Sequence, residues 1–321
     1  MFSRREFILG ATTTAATSIM AQGCATTGRV VKGSLDPNRV VIASDIHIPL
    51  PWSEQKYRTG REYPWIVDTV KGFIAEILAL DPLPANFIAL GDMSIAFGEE
   101  EEYAILRALL QPLYDRGIAV TLGMGNHDIR ASYAKSFPEA AAKSLVPGRY
   151  VHRVETPHAD FILLDSLVEP KIRGRHNELL GAALGKEQSA WFEKELKSLR
   201  KPTFVCAHHA AGSIKIVSKI TKCPKVVGYL YGHGHRWSFG APFSDYGVNA
   251  RTIRSVGIGS FGIDGDIGYA IMDLAPAKAT LKVVNKDFYF PAPRPAEKRP
   301  PLWDELRRDH IGKQVVFPFE G

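Results

Sequence analysis

An α/β fold built on a mixed sheet is what the sequence predicts, and three observations predict it. Short apolar runs at Val40–Ser44, Phe87–Leu90, Ile118–Leu122, Phe161–Leu164, Thr203–Ala207 and Val226–Tyr231 have the length and composition of strands buried on both faces. Amphipathic stretches at helical spacing lie between several of them, and beyond Gly232 the pattern turns to β alone. With 321 residues, 45% of them hydrophobic, the chain is long enough to bury a sizeable core as one large domain or two small ones.

In chain order, residues 1–25 read as an address and not as fold. Two adjacent arginines, Arg4 and Arg5, precede an apolar run from Phe7 to about Ala21 that is too short and too weakly hydrophobic to cross a membrane comfortably. A charged start followed by such a run is a secretory signal, and Ser3-Arg4-Arg5-Glu6-Phe7-Ile8-Leu9 resembles the twin-arginine consensus. The expected partner is therefore the twin-arginine export machinery, and the expected location is periplasmic or membrane-tethered. Ala21-Gln22-Gly23-Cys24 resembles a loose lipoprotein box, which would place a lipid anchor at Cys24; ordinary cleavage near Ala21 or Ala25 competes with it. Residues 26–38 then read as a linker, and 39–289 as the folded domain.

Within that domain, the strand at Val40–Ser44 ends at Asp45. Trp65–Leu80 carries Ile66, Val70, Phe73, Ile74, Ile77 and Leu78 near helical spacing, stopped by Asp81-Pro82. The strand at Phe87–Leu90 ends at Gly91-Asp92. Glu99–Tyr114 is a second helix whose acidic opening suits the positive end of its dipole. Ile118–Leu122 runs into Gly123-Met124-Gly125-Asn126-His127-Asp128. A helix at Lys186–Leu199 lies between the strands at Phe161–Leu164 and Thr203–Ala207, and further strands are expected at Thr252–Val256, Tyr269–Met272 and Thr280–Val284. The stretch from Pro49 to Pro64, with Trp52, Tyr57, Arg58, Arg61 and Tyr63, reads equally as a substrate-contacting loop or a solvated connector. Residues 290–321, rich in Pro and charge, read as a tail on the surface.

Composition excludes some functions. Lys and Arg exceed Asp and Glu by 40 − 34 = 6, an excess that suits an anionic substrate or lipid but is too diffuse to argue for a nucleic-acid partner. The cysteines Cys24, Cys206 and Cys223 include no C-x-x-C pair, so zinc-ribbon and thioredoxin-like chemistry is out. Cys206 and Cys223 read as unpaired thiols or, in an oxidising compartment, as a pair.

The chemistry-bearing residues cluster at strand ends, where ligands bind in open α/β sheets. Asp45-Ile46-His47 places a carboxylate and an imidazole two residues apart; in an extended segment both would face one ion. Gly91-Asp92 adds a second carboxylate. Gly125-Asn126-His127-Asp128 supplies an amide oxygen, an imidazole and a carboxylate to orient it. His208-His209 follows the strand at Thr203–Ala207, and Gly232-His233-Gly234-His235 follows the one at Val226–Tyr231. Singly, each is also an ordinary turn or a hydrogen-bonded structural histidine. Their coincidence at five successive strand ends, in a chain with ten histidines, is what points to metal.

The ordered set D-x-H, G-D, G-N-H-D, H and G-H-x-H, from about Val40 to His235, resembles the calcineurin-like metallophosphoesterase superfamily. The resemblance implies a four-layer α/β/β/α sandwich with two mixed β-sheets and two metals at the strand ends. It implies that Asp45, His47 and His235 hold one ion, that Asn126, His208 and His233 hold the other, and that Asp92 bridges them. His127 is then the catalytic imidazole, oriented by Asp128. The chain departs from the family's His-x-Pro with His208-His209-Ala210, so either histidine is a candidate; His208 holds the first position of the pattern. Imidazole, carboxylate and amide donors without thiolate suit Mn, Fe or Zn. The expected activity is hydrolysis of a small phosphate monoester or a phosphodiester by metal-activated hydroxide. The competing readings are a nuclease or lipid-phosphate hydrolase, for which no groove or lid signature exists, and a non-catalytic metal-binding envelope protein.

Overall fold

A computed structural model of the chain describes residues 33–51, 65–169, 181–240, 243–244, 251–262, 265–289 and 310–319. The arginine pair, Cys24 and the loop residues from Trp52 to Tyr63 lie outside the described residues, as does most of the segment from 290 onward. In chain order the elements are β1 (Leu35–Ala43), α1 (Ile66–Leu78), β2 (Leu83–Ala89), α2 (Glu100–Asp115), β3 (Ala119–Leu122), α3 (Arg130–Ser136), α4 (Pro138–Ala142), β4 (His152–Glu155), β5 (Asp160–Leu164), α5 (Gly185–Ser198), β6 (Thr203–Ala207), α6 (Val217–Thr221), β7 (Val226–Tyr231), β8 (Phe243–Ser244), β9 (Thr252–Ile253), β10 (Ser255–Gly257), β11 (Gly265–Ala275), β12 (Lys278–Tyr289) and β13 (Gln314–Pro318). None of the described helices is long and apolar enough to cross a membrane.

Two mixed sheets organise these elements. One has the order β13-β12-β11-β1-β2-β3 and the other β10-β7-β6-β5-β4, with β8 and β9 forming a separate ribbon. In the first, β1, β2 and β3 run parallel while β11, β12 and β13 alternate. In the second, β5, β6, β7 and β10 run parallel and β4 is antiparallel at the edge.

Strand periodicity divides the apolar runs between three cores. Val40 and Ile42, Ile88, Phe161 and Leu163, Phe204 and Cys206 point into the space between the sheets. Their neighbours Val41 and Ala43, Phe87 and Ala89 face the outer layer, where Ile66, Val70, Ile74 and Ile77 of α1 and Leu106, Leu110 and Leu113 of α2 meet them. On the far side Ile162, Leu164, Val205 and Ala207 pack under Phe192 of α5 and Ile220 of α6. A strand with core on both faces has no polar side to show, which is why these runs read as continuously apolar. The result is the expected α/β/β/α sandwich.

Several differences have local causes. The stretch Thr252–Val256 is two strands: β9 pairs with β8, and β10 joins β7, with Tyr229 N–H donating to Arg254 O (3.0 Å) at the break. The segment beyond 290, read as a surface tail, contributes β13 to the first sheet, where Phe317 and Val315 reach the inter-sheet core and alternate with more exposed neighbours. Strand β4 escapes sequence reading because His152-Arg153-Val154-Glu155 offers one apolar residue, at an edge. Cys206 and Cys223 are free thiols, both buried.

Candidate metal centre

The ends of β1, β2 and β3 in one sheet and of β6 and β7 in the other converge on one site. Beyond Ala43 and Ala89, the β1 and β2 segments stay paired through backbone hydrogen bonds: Asp45 N–H to Gly91 O (3.0 Å), His47 N–H to Asp92 O (3.0 Å) and Ile48 N–H to Met93 O (2.8 Å). Asp45, His47 and Asp92 are thus fixed relative to one another by the sheet's own ladder. Across the sandwich, His233 N–H donates to both Asp45 oxygens (3.2 and 3.0 Å), while within the second sheet Gly232 N–H donates to His208 O (3.0 Å).

The backbone here corrects the reasoning from extended geometry. Asp45 (φ 53°), His47 (φ 52°), Asp92 (φ 53°), His233 (φ 67°) and His235 (φ 49°) are all left-handed. Asp45 and His47 share a side because each turns back on the chain, with Ile46 buried between them in the core under α1. A non-glycine residue in this region costs roughly 1–2 kcal/mol, and concentrating five of them at one place is the mark of a functional site. Glycine serves close approach at two positions. A Cβ at Gly125 would collide with the Asp92 carboxylate, and one at Gly232 with Ser44 and Asp45.

The side chains form two adjoining groups. In the first, Asp45, His47, Asp92 and His235 offer donor atoms within 4.8 Å of one another. His47 Nε2 lies 3.1 Å from His235 Nε2, and Asp45 Oδ1 lies 3.2 Å from His235 Nε2 and 3.8 Å from His47 Nε2. In the second, His208, His209 and His233 offer theirs within the same limit, and His208 Nε2 sits 3.0 Å from Asn126 Oδ1. Asp92 joins the two: its Oδ2 is 3.6 Å from His47 Nε2 and 3.1 Å from His208 Nε2, while Oδ1 accepts His127 N–H (2.8 Å). All seven residues read from sequence as metal ligands are therefore brought together.

His209, set second to His208 in the sequence reading, stands in the same group. Its Nδ1 is held by Ser166 Oγ (2.8 Å), and its buried Nε2 has no hydrogen-bond partner among the described residues. His208 is the one that reaches both Asp92 and Asn126. The ring of His47 is oriented by Nδ1–H donating to Ser94 O (3.0 Å), which leaves the Nε2 lone pair turned to the group.

This donor set fits divalent cations. Asp45, His47, Asp92, Asn126 and His208 are almost wholly buried, while His233 is exposed and His235 half-buried, so the site opens on that side. Burial works against the charge on Asp45, but His235, His47 and His208 hold its pKa well below the usual range. The Asp92 carboxyl is likewise held down against burial, chiefly by His208 and His127. Burial opposes the charge on His208 too, yet Asp92 and Asp45 lift it to about 9. Burial and the two neighbouring histidines push His209 down to about 3. Buried carboxylates and imidazoles this close need either shared protons or cations between them, and nitrogen and oxygen donors without sulfur suit borderline metals.

The expected pairing of Asp128 with the His127 ring is not formed. Asp128 accepts from Met93 N–H (3.1 Å), Ser94 N–H (3.3 Å), Tyr103 Oη–H (3.0 Å) and Gly125 N–H (2.8 Å). It is a buried clasp between the loops after β2 and β3, with both oxygens engaged by groups other than the imidazole. Burial, then the Asp92 charge, push its pKa up to about 7 against the pull of Gly125 and Tyr103. His127 is oriented instead by Nδ1, 3.2 Å from Ala96 O. Burial holds the His127 pKa down to about 4 despite Asp92, with His47, His208 and His235 adding to the depression.

The orienting groups that sequence reading missed are mostly backbone carbonyls, Ser94 O and Ala96 O, which leave no mark in a sequence. Glu102 left one: it closes the capping box of α2 with Glu99 and accepts Ser94 Oγ–H (2.5 Å), tying the helix to the Asp92 loop.

A family model described as calcineurin-like phosphoesterase matches residues 38–237. Among solved structures, a dimetal phosphatase from Danio rerio is similar over 89% of this chain and 100% of its own, with TM-score 0.59 and 12% identity. That likeness shows the fold. A conserved uncharacterised protein from Streptococcus pneumoniae, a predicted phosphoesterase, matches over 88% of this chain and 97% of its own at TM-score 0.35 and 12% identity, too distant to bear on the site. No curated protein matches.

Proposed function

Because the chain belongs to the calcineurin-like phosphoesterase family and is a phosphoric ester hydrolase, we propose that Asp45, His47 and His235 hold one divalent ion, that Asn126, His208 and His233 hold a second, and that Asp92 is shared. The observation that carries this reading is the Asp92 carboxylate, whose single oxygen Oδ2 lies between His47 Nε2 at 3.6 Å and His208 Nε2 at 3.1 Å. Ions of the kind these donors suit, Mn, Fe or Zn, would when bound supply Lewis acidity toward a phosphoryl group and lower the pKa of water toward neutral pH.

The chain's own residues do the rest. Asp45 and Asp92 are the only carboxylates among seven donors, so the loaded site stays cationic and suits an anionic phosphate ester. His127 donates Nδ1–H to Ala96 O, which leaves Nε2 as the atom to meet substrate. Burial and three neighbouring imidazoles keep that ring neutral in the resting protein. The negative charge of a bound ester favours protonation of Nε2, and the imidazolium can then stabilise the phosphoryl oxygens or protonate the departing oxygen. The substrate is a small phosphomonoester or a phosphodiester reached from the His233–His235 side.

The test is metal content and turnover on the same samples. Metal-depleted protein reconstituted with Mn is expected to bind two ions per chain and to cleave p-nitrophenyl phosphate or its bis-ester. His208→Ala should retain one ion, and Asp92→Asn one or none, each with at least about a hundredfold loss of kcat. Two ions and undiminished turnover in Asp92→Asn would end the shared-carboxylate reading.

Export is part of the same proposal. Arg4 and Arg5 direct the folded, metal-loaded protein to the twin-arginine machinery, and the leader ends either in lipidation of Cys24 or in cleavage near Ala21 or Ala25. Replacing both arginines with lysine should retain the protein in the cytoplasm, and palmitate labelling lost in Cys24→Ser would select the lipid anchor. Wild-type fractionation of the lysine variant would count against this route.

A further inference from the structure

The segment from Asp92 to Glu99 joins β2 to α2 and is buried for most of its length. A buried loop must satisfy its own backbone polar groups, because water cannot reach them. Here one side chain does much of that. Ser94 is fully buried, and its Oγ accepts Ala96 N–H (3.3 Å) and Gly98 N–H (2.8 Å) while donating to Glu102 Oε2 (2.5 Å). A hydroxyl has one proton and two lone pairs, so its capacity is fully used.

The turn that this hydroxyl closes is fastened on every side. Ser94 N–H donates to Asp128 Oδ1 (3.3 Å), and Ile95 N–H to Ile48 O (3.2 Å), on the segment that carries His47. Glu102 accepts Glu99 N–H (3.0 Å) on the same oxygen that takes the Ser94 proton, which ties the turn to the start of α2. Gly98, at φ 63°, brings it against the loop after β3: a Cβ there would lie 2.7 Å from Ile129 N.

Two carbonyls of this turn orient two rings of the site. Ser94 O accepts His47 Nδ1–H (3.0 Å), and Ala96 O accepts His127 Nδ1–H (3.2 Å). The two imidazoles meet edge-on, their centroids 5.0 Å apart. His47 stands among the grouped metal donors and His127 does not. A shift of the turn would therefore tilt a ligand and its non-ligand neighbour together.

We propose that Ser94 is a positioning residue for both histidines. Its hydroxyl, held by Glu102, fixes the spacing of Ser94 O and Ala96 O, and so aims His47 Nε2 at the metal and His127 Nε2 at the substrate. This rests on the reading of His47 as a ligand and of His127 as the catalytic imidazole.

The experiment follows the Nδ1–H proton NMR signals of His47 and His127 in metal-free full-length protein isotope-labelled in histidine, with His127→Ala assigning one of them. Wild type should give a hydrogen-bonded signal from each ring, and both should move in Ser94→Ala. At saturating Mn, turnover of p-nitrophenyl phosphate should fall about 10–100-fold in that variant. In a His127→Ala background the same change should cost at least about fivefold less, because the ring it positions is gone. A merely structural role would cost the same in both backgrounds. Ser94→Cys fills the same space with a weak donor and acceptor, and it carries the same expectations if Ser94→Ala does not fold. The proposal is overturned if either Nδ1–H signal keeps its wild-type position in these variants, or if the turnover loss is equal in the two backgrounds. Full turnover in His127→Ala would instead end the catalytic reading of that ring, and the spectra would still judge what the turn does to both imidazoles.

Discussion

Replacing Asp128 distinguishes a clasp from a catalytic partner. Asp128→Ala would strand four buried donors: the N–H groups of Met93, Ser94 and Gly125 and the Tyr103 hydroxyl. A buried donor without its acceptor costs about 1–3 kcal/mol. Tyr103 keeps the hydrogen bond it accepts from Ile129 N–H (2.9 Å), and the loops can relax, so a total of about 4 kcal/mol is the reasonable expectation. For a domain of this size that lowers Tm by roughly 10 °C. Asp128→Asn keeps an oxygen for Met93, Ser94 and Tyr103 but turns an amide N–H toward Gly125 N–H, at about 2 kcal/mol and roughly 5 °C. Both variants should lose metal affinity along with stability, because the clasp fixes the loops that carry Asp92 and Asn126. Calorimetric Tm and metal titration on the two variants provide the measurement. If Asp128→Asn keeps its wild-type Tm and metal affinity while kcat falls a hundredfold or more, Asp128 acts through the His127 ring and the clasp account is wrong.

Three further expectations rest on separate features. Gly125→Ala puts a methyl into the Asp92 carboxylate, so metal content should drop and turnover fall about a hundredfold or more with secondary structure intact; normal metal content would show that the carboxylate can move. His127→Ala should lose most turnover, about a hundredfold or more, while metal content stays at the wild-type level, because the ring is not among the grouped donors; parallel loss of metal and turnover would make it a ligand. The third concerns pH. Burial, aided by Lys143, holds the His152 pKa down to about 4, against 6.5 for a free imidazole. The folded state therefore binds fewer protons than the unfolded chain between these values, so the stabilisation is complete above about pH 6.5 and is lost as pH falls toward 4, by about 2–3 kcal/mol. His152→Phe should flatten that part of a urea-denaturation pH profile, and an unchanged slope would place the titration elsewhere.

How much of this was legible in the sequence depends on what each feature leaves in it. The central strands were legible because both of their faces are buried: Thr203–Ala207 and Val226–Tyr231 begin and end where their apolar runs do. Edges were not, since β4 and β13 bury one side only: β4 shows one apolar residue in four, and β13 is a five-residue run inside a Pro-rich, charged stretch with only Val315 and Phe317 buried. The site residues were legible as types and as an order along the chain. Their geometry was not: alternation in an extended strand predicted the right partnership of Asp45 and His47 for the wrong reason, since both are left-handed. Asp128 was read as a partner to the residue next to it in sequence. Of the four donors that claim it, Gly125 N–H lies in its own loop, and the other three come from Met93, Ser94 and Tyr103, on segments some 25 to 35 positions away. Adjacency along a tight loop says little about where a carboxylate points.

The site draws Asp45, His47, Asp92 and Asn126 from one sheet and His208, His233 and His235 from the other. Between the sheets lies a layer in which Phe204 stacks on Phe161 at 5.2 Å and meets Phe317 edge-on at 5.1 Å. The atoms proposed to hold the ions therefore act as a gauge of how the two halves of the sandwich are aligned. A slip of even half an ångström in that aromatic layer would be read out as altered metal affinity, although no residue near the ions had changed. Selection for tight metal binding is then also selection on the interior, and the C-terminal strand, through Phe317, is as much a guardian of the site as the loops that surround it.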